Sequence, residues 1–399
     1  MDPRPMEVLP VVDAGEGFTF LSGIRVLDLT TSIAGPYASM LLSDFGAEII
    51  KIERPDGDDA RKWGPPFLEG ESLWFTAVNR NKKSVVLDLQ DSKDREVLRN
   101  LARLADVVIT NQPPAAQRKL GLDYESFTQL RPDIIFTSIT GFGLTGQRSD
   151  LTCYDLIAEG YSGIMDITGD PAGPPQKVGA PAADMLAGQD AAMATVTALF
   201  DRMRTGKGHL IDVSLVESMT RFLCCRVSPY LGAGEAPVRS GGTDSVIAIY
   251  QQFETSDQPL TLGLGNDAIW RRFWQAMGDP GFGARPEFHS NAARRDCRTE
   301  IVQRIQAILL TESRDHWLAI FASARVPAGP INSVEDLAAD TALHDRGFLF
   351  TLRDGERQVP QIGLGIRIDG KIATPCSAPP RLGQHSKEYV ALATTGLTA

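Results

Sequence analysis

The chain has 399 residues, 43% of them hydrophobic and 23% charged, the balance of a globular protein with length for two domains and a large core. Its formal charge of −10 argues against broad nucleic-acid binding, and it lacks the apolar run of about 18 residues that a membrane span requires. Five cysteines without a C-x-x-C pair and five scattered histidines offer no zinc-ligand spacing. With no signal-peptide core in MDPRPMEVLPVVDAGEG, these counts predict a cytoplasmic protein with free thiols and no metal.

Residues 1–20 read as a poorly ordered lead-in. Ile24–Thr30 (IRVLDLT) reads as a strand, Ala34–Phe45 as a helix ended by Gly46, and Glu48–Glu53 (EIIKIE) as a second strand. Such a βαβ unit predicts a parallel sheet, whose ligands bind beyond the carboxyl ends of the strands. Two anion-binding candidates stand at those ends. One is the turn Thr30–Pro36, whose amides open a helix. The other is Arg54, which could pair with a phosphate or be an ordinary solvated charge. A loop at 56–59 and a turn at 81–84 precede a third strand, Val85–Leu89. Glu96–Ala105 reads as a helix and Val107–Thr110 as a strand, with Asn111-Gln112-Pro113-Pro114 beyond its end.

Ile134–Thr140 is a further strand, followed by Gly141-Phe142-Gly143-Leu144-Thr145-Gly146. The spacing fits G-x-G-x-x-G, but the polar Gln147-Arg148-Ser149-Asp150 follows instead of an amphipathic helix. A nicotinamide or flavin site is therefore not expected. Asp155–Met165 reads as a short helix.

The stretch Lys177–Met219 organises the rest. A Gly-Ala-Pro turn delivers Asp184 to the start of a helix running from about Ala183 to Arg204, with Gly206 and Gly208 as stop signals. Met193, Val196, Phe200 and Met203 recur at helical steps and predict its apolar face. Asp184 at a helix start has two readings, an N-cap or an active carboxylate favoured by the helix dipole. His209–Leu215 reads as a strand and Glu217–Val227 as a helix closed by Pro229. Residues 231–245 look like a linker. Strands at Ile247–Glu254 and Leu260–Leu264, and helices at Ala268–Met277, Thr299–Leu310 and Asp315–Ala324, form a smaller α+β set with Trp270, Phe273 and Trp274 as core. Val326–Pro330 is a linker back, Ser333–Ala338 starts a helix and Phe348–Asp354 is a strand. His385, in a closing loop, reads as structural or solvated. The chain is thus α/β, divided as 1–225, 226–325 and 326–399.

Three segments, LSGIRVLDLT…GPYASMLLSDFGAEIIKIERP, NRNKKSVVLDL and GAPAADMLAG…RTGKGHLIDVSLVESM, resemble the signatures of the family III CoA-transferases, and the resemblance covers about residues 21–390. It implies a Rossmann-like parallel-sheet large domain built from both chain ends, a smaller middle domain and an interlocked homodimer. It implies coenzyme A thioesters as substrates, with no tightly bound cofactor, and partners limited to an acyl-CoA donor, a small carboxylic acid acceptor and a second copy of the chain. Asp184 falls at the position of the catalytic nucleophile. Ile33, Ala34 and Arg54 match the positions that meet the adenosine phosphates of CoA. Leu87, Gln90, Asn111, Gln112, Arg118 and Lys119 match further CoA-contacting positions. Some relatives carry a Lys at Gln90, and relatives usually have an aromatic at Gln112 and an Arg at Lys119, so those contacts are altered here, and a Lys lacks the bidentate fork of an Arg. Thr140, Gly141 and Phe142 border the thioester end, where the amides of the 141–146 loop are candidate oxyanion donors.

The implied activity is CoA transfer through a covalent aspartyl intermediate. Two alternatives remain. The related acyl-CoA racemases carry a His immediately before Asp155, where this chain has Tyr154, a poor acid/base at its ordinary pKa of about 10. A non-catalytic CoA-binding protein would not need Asp184 as a reactive group. The pair Gly241-Gly242 stands where formyl-CoA transferases carry a longer glycine run, which puts oxalate in doubt as an acceptor.

Overall fold

The computed structural model describes residues 5–395. Six parallel strands form the main sheet: β1 (Arg25–Asp28), β2 (Glu48–Glu53), β3 (Lys82–Val86), β4 (Val107–Thr110), β5 (Ile135–Thr140) and β6 (His209–Ser214). Their order across the sheet is β3-β2-β1-β4-β5-β6. This is the doubly wound order, in which the direction of strand addition reverses between β1 and β4. β4 and β5 are buried along their whole length, as strands covered on both faces must be. At the open edge, β6 alternates along its first four residues.

Expected and observed elements differ where polar residues are buried. The third strand spans Lys82–Val86, three residues before the apolar run that suggests it. Lys82 and Ser84 lie inside the sheet because Asp28 and Glu53 receive them, leaving Leu87–Gln90 beyond the strand's carboxyl end. The N-terminal lead-in is tied down, since Val11–Asp13 pairs in parallel with Leu349–Asp354, which pairs in turn with Arg357–Ile362. Pro229 does not close its helix but lies inside Cys224–Ala233, which follows Leu215–Phe222. Ala328–Pro330 is not a linker but the third strand of a small antiparallel sheet with Tyr250–Phe253 and Leu260–Gly263.

Helix α1 (Ala34–Asp44) follows β1, α2 (Asp155–Ser162) follows the glycine loop, and α3 (Ala182–Thr205) leads into β6. The buried face of α3 is small: Ala183, Ala187, Gly188, Ala191, Ala192, Thr195, Ala198 and Leu199. A Cβ on Gly188 would stand 2.6 Å from the Ala34 carbonyl oxygen, so glycine permits the close approach of α1 and α3. The face expected to be buried points outward, with Met193 56%, Phe200 64% and Met203 85% exposed. Small residues set the packing because they let the backbones meet, and the large apolar side chains are left on the other side.

The chain divides into two compact units. One holds the residues up to Ile164, Lys177–Glu235 and those from Ala338 on; the other holds Met165–Gln176 and Ala236–Leu337. The second unit has its own core, in which Trp270, Phe273 and Trp274 pack with Phe288, Trp317 and Phe321.

Candidate active site

A cleft of about 650 Å³ opens where the strand order reverses, at the carboxyl ends of β1, β2, β3 and β4. Its wall includes Thr30 and Thr31 after β1, Arg54 to Asp59 after β2, Leu87 to Gln90 after β3 and Gln112 after β4. An open α/β sheet binds ligands at this place, because two helix-opening turns diverge there.

Beneath the cleft lies a buried ionic network. Lys51 and Lys82 are fully enclosed with Asp28, and Asp58 and Glu53 are almost so. The Lys51 ammonium is 2.8 Å from the Asp58 carboxylate and donates to the Thr30 carbonyl. Lys82 donates to Asp28 and to the Pro36 carbonyl. Burial alone would raise the Asp28 carboxyl, but Lys82 and Lys51 hold it at about 2. Burial pushes Lys82 down to about 8, against the pull of Asp28. Asp58 accepts the Ser32 amide at 2.9 Å and so holds Ser32 at φ 71°, a left-handed conformation costly for any residue but glycine. The network shapes the turn Thr30–Pro36 from below.

Of the CoA-contacting candidates, Arg54, Leu87, Gln90 and Gln112 line the cleft. Arg54 is half-exposed and donates to Asp59 at 2.7 Å, with Asp56 beside it, so a phosphate there displaces or shares carboxylate partners. Ile33 and Ala34 are buried and do not line the cleft, and the Ile33 side chain packs with Met40 and Val78. Asn111 exchanges two hydrogen bonds with the Thr31 backbone and fastens the turn to the end of β4. Arg118 and Lys119 are exposed on the following helix and do not line the cleft.

Asp184 is the third residue of α3 and its side chain caps nothing; the N-cap position belongs to Pro181. The capping reading is therefore set aside. The helix-opening amides of Ala183 and Asp184 donate to Asp155 of α2 instead, at 2.8 and 3.3 Å. Burial, with the nearby Asp155 carboxylate adding to it, pushes the Asp184 carboxyl up to about 7. A helix N-terminus was expected to favour ionisation; here desolvation and a like charge outweigh it. Next to Asp184, burial and its charge push the Cys153 thiol up to about 11, which keeps it protonated near neutral pH.

Cys153 also packs against Gly141, where a Cβ would stand 2.1 Å from the Cys153 Cβ, so Gly141 and Asp184 share a neighbour. Phe142 stacks edge-on against Tyr161 of α2. Thr140 accepts the Gly143 amide and Asp212 accepts the Leu144 amide, so these two members of the glycine loop are already engaged and do not serve as oxyanion donors in this arrangement. Tyr154 is largely exposed.

Sequence reading gave no site role to Cys153 and Asp155 near Asp184, to Glu159 on the same helix as Asp155, or to Asp28, Lys51, Asp58 and Lys82 beneath the cleft. Asp155 and Glu159 carry a usable signal, being four apart on a helix and so on one face. Asp58 carries none, since Asp-Gly-Asp-Asp reads as a solvated loop. Among the described residues, no group of three or more His, Cys, Asp or Glu could hold a metal ion, and no helix is long and apolar enough to cross a membrane.

Comparison with known proteins carries these observations to a family. The CoA-transferase family III profile matches residues 21–386. A succinate–glutarate CoA-transferase of Agrobacterium fabrum is 38% identical over 379 residues, covering 93% of this chain and 95% of the relative. A succinyl-CoA:glutarate CoA-transferase of Mus musculus is 37% identical over 374 residues, covering 93% and 85%. The crystal structure of a CAIB/BAIF family protein from Brucella suis superposes with a TM-score of 0.84 at 36% identity, covering 95% of this chain and all of that one. The chain is a CoA-transferase and belongs to CoA-transferase family III.

Proposed function

We propose that Asp184 is the covalent nucleophile of the transfer and that the substrates are short dicarboxylic acids and their CoA esters. The carboxylate attacks the thioester carbonyl of the donor; the carbon–sulfur bond breaks, giving a mixed anhydride and CoA thiolate. The thiolate attacks the Asp184 carboxyl carbon and releases the donor acid, leaving an aspartyl-CoA thioester. The acceptor carboxylate then attacks that carbon, releases the thiolate and takes CoA by the reverse sequence. No proton or water is consumed, and water must be excluded from the anhydride.

The observation that carries this reading is the setting of Asp184: a carboxyl at a helix start, with its basicity raised to about 7 and no ion-pair partner among the described residues to quench it. The similarity to relatives named for succinyl-CoA and glutarate supports the dicarboxylate class. In this reading the cleft at the strand reversal takes the adenosine phosphates, with Arg54 pairing to phosphate, the turn at Ile33 and Ala34 offering amides, and Leu87, Gln90, Asn111 and Gln112 flanking them; Arg118 and Lys119 offer charge near the mouth. Thr140, Gly141 and Phe142 wall the thioester end. The enzyme needs no tightly bound cofactor, works in the cytoplasm and forms the interlocked homodimer of its family; the exposed apolar face of α3 supports a partner surface. The test is intact and peptide mass spectrometry after incubation with succinyl-CoA. A CoA adduct on the peptide carrying Asp184 is expected, and an adduct on another residue would overturn the assignment.

A further inference from the structure

Glu159 is a fully buried carboxyl that the transfer chemistry does not use. It lies one helical turn after Asp155 on α2. Its Oε2 accepts the Val178 amide at 2.8 Å. Its Oε1 is enclosed without a hydrogen-bond donor from another group among the described residues. Asp155 meanwhile accepts the amides of Ala183 and Asp184. Two carboxyls one turn apart thus grip the two ends of the segment 178–184, the Gly-Ala-Pro turn that delivers Asp184.

We propose that Glu159 is a positioning residue for the nucleophile, its carboxyl bridging the Val178 amide at one end of this turn and the Asp155 carboxylate at the other. The bridge needs a proton on Glu159: Oε2 accepts from Val178, and the acid proton on Oε1 satisfies the orphaned atom by bonding to Asp155. A second carboxylate close by disfavours the charge on Glu159. The charged groups around Glu159 agree with its being the neutral member. Burial raises its carboxyl most, the Val178 amide opposes this, Asp155 raises it further by charge and by hydrogen bonding, and Lys177 opposes. Asp155 for its part accepts the two helix-opening amides of Ala183 and Asp184. The Asp155 charge in turn faces Asp184 and raises its basicity. Glu159 therefore fixes both the backbone of the nucleophile and the location of the charge beside it. The inference rests on Asp184 being the nucleophile.

Two substitutions test it. Glu159→Gln keeps both hydrogen bonds, its amide oxygen accepting from Val178 and its amide nitrogen donating to Asp155, so kcat should stay near the wild-type value. Glu159→Leu removes the grip, and kcat should fall by about 100-fold, the effect of misplacing a reacting group by about an ångström. KM for the CoA donor should change little, since the adenosine end is held elsewhere. A Leu variant with wild-type kcat, even if it melts lower, would overturn the proposal as a merely structural role. A Gln variant as impaired as the Leu variant would also overturn it, because ionised Glu159 would then be the working form; this arm decides even where the Leu variant does not fold. Asp184→Asn is measured alongside. If it still transfers CoA, the nucleophile assignment has failed; if it is dead while the Leu variant is unimpaired, Glu159 alone has been misassigned.

Discussion

Asp184 must be ionised to attack, yet its surroundings disfavour the charge. The same desolvation and Asp155 charge that raise its carboxyl to about 7 also leave its anion more basic, and so more nucleophilic, than a solvated aspartate. The pH dependence follows: kcat/KM for the CoA donor should fall as pH drops through about 7 and level off above it, and a pH–rate profile measures this directly. A profile flat down to pH 5 would mean that the carboxyl is not so raised. At the other end of the substrate, Arg54 is only half-buried and shared with Asp59 and Asp56. Arg54→Ala should raise the KM for CoA esters roughly tenfold with kcat little changed, the signature of lost ground-state binding to a phosphate. Steady-state kinetics showing an unchanged KM would remove Arg54 from the site.

At the scale of elements, α3 shows how far pattern reading reaches. Its existence and ends are legible, because a turn precedes it and Gly206, observed in the left-handed conformation, stops it. Which face it buries is not legible. Small apolar residues line one side of the helix and large ones another, so the periodicity of Met193, Val196, Phe200 and Met203 is real but selects the wrong side. Backbone proximity decides instead, and Gly188 against Ala34 is its limiting contact. Gly188→Val should wedge α1 and α3 apart, costing about 1–3 kcal/mol and lowering the melting temperature. Both the turn at Ile33 and Asp184 ride on these helices, so activity should fall with it; a variant that melts and turns over like wild type would show that the contact is not limiting.

Across the whole molecule, the alternation of strand and helix was readable from β-branched runs between turn residues, and the parallel sheet followed from it. The polar interior was not. Lys82 and Asp58 sit in stretches that local composition assigns to a turn and a loop, Asp28 and Lys51 are charged residues inside strands whose pattern does not show which partners they meet, and only long-range pairing across three strands makes their burial tolerable. The carboxylate pair on α2 escaped for the same reason, since its partners, Val178 and Ala183, lie about two dozen residues further on. The outward apolar face of α3 is likewise a feature of the assembled chain. If the proposed homodimer covers it, Phe200→Glu should shift the protein from dimer to monomer in sedimentation velocity. A Phe200→Glu protein that remains fully dimeric would place the partner surface elsewhere.

The claim on which all this turns is that one carboxylate carries the CoA, and Asp184→Asn addresses it on both activity and stability. Asparagine keeps the shape and removes the charge. Because the folded Asp184 carboxyl is raised from its ordinary value of 3.8 to about 7, the folded protein holds a proton that the unfolded chain releases, so this group's contribution to stability is lost as pH rises from about 4 through 7. At about 1.4 kcal/mol per pKa unit, the penalty above pH 7 is on the order of a few kcal/mol. Asp184→Asn is expected to transfer no CoA from succinyl-CoA to glutarate, and to melt above wild type at pH 8 while the gap closes towards pH 4. An Asp184→Asn protein that transfers CoA at the wild-type rate would contradict the claim.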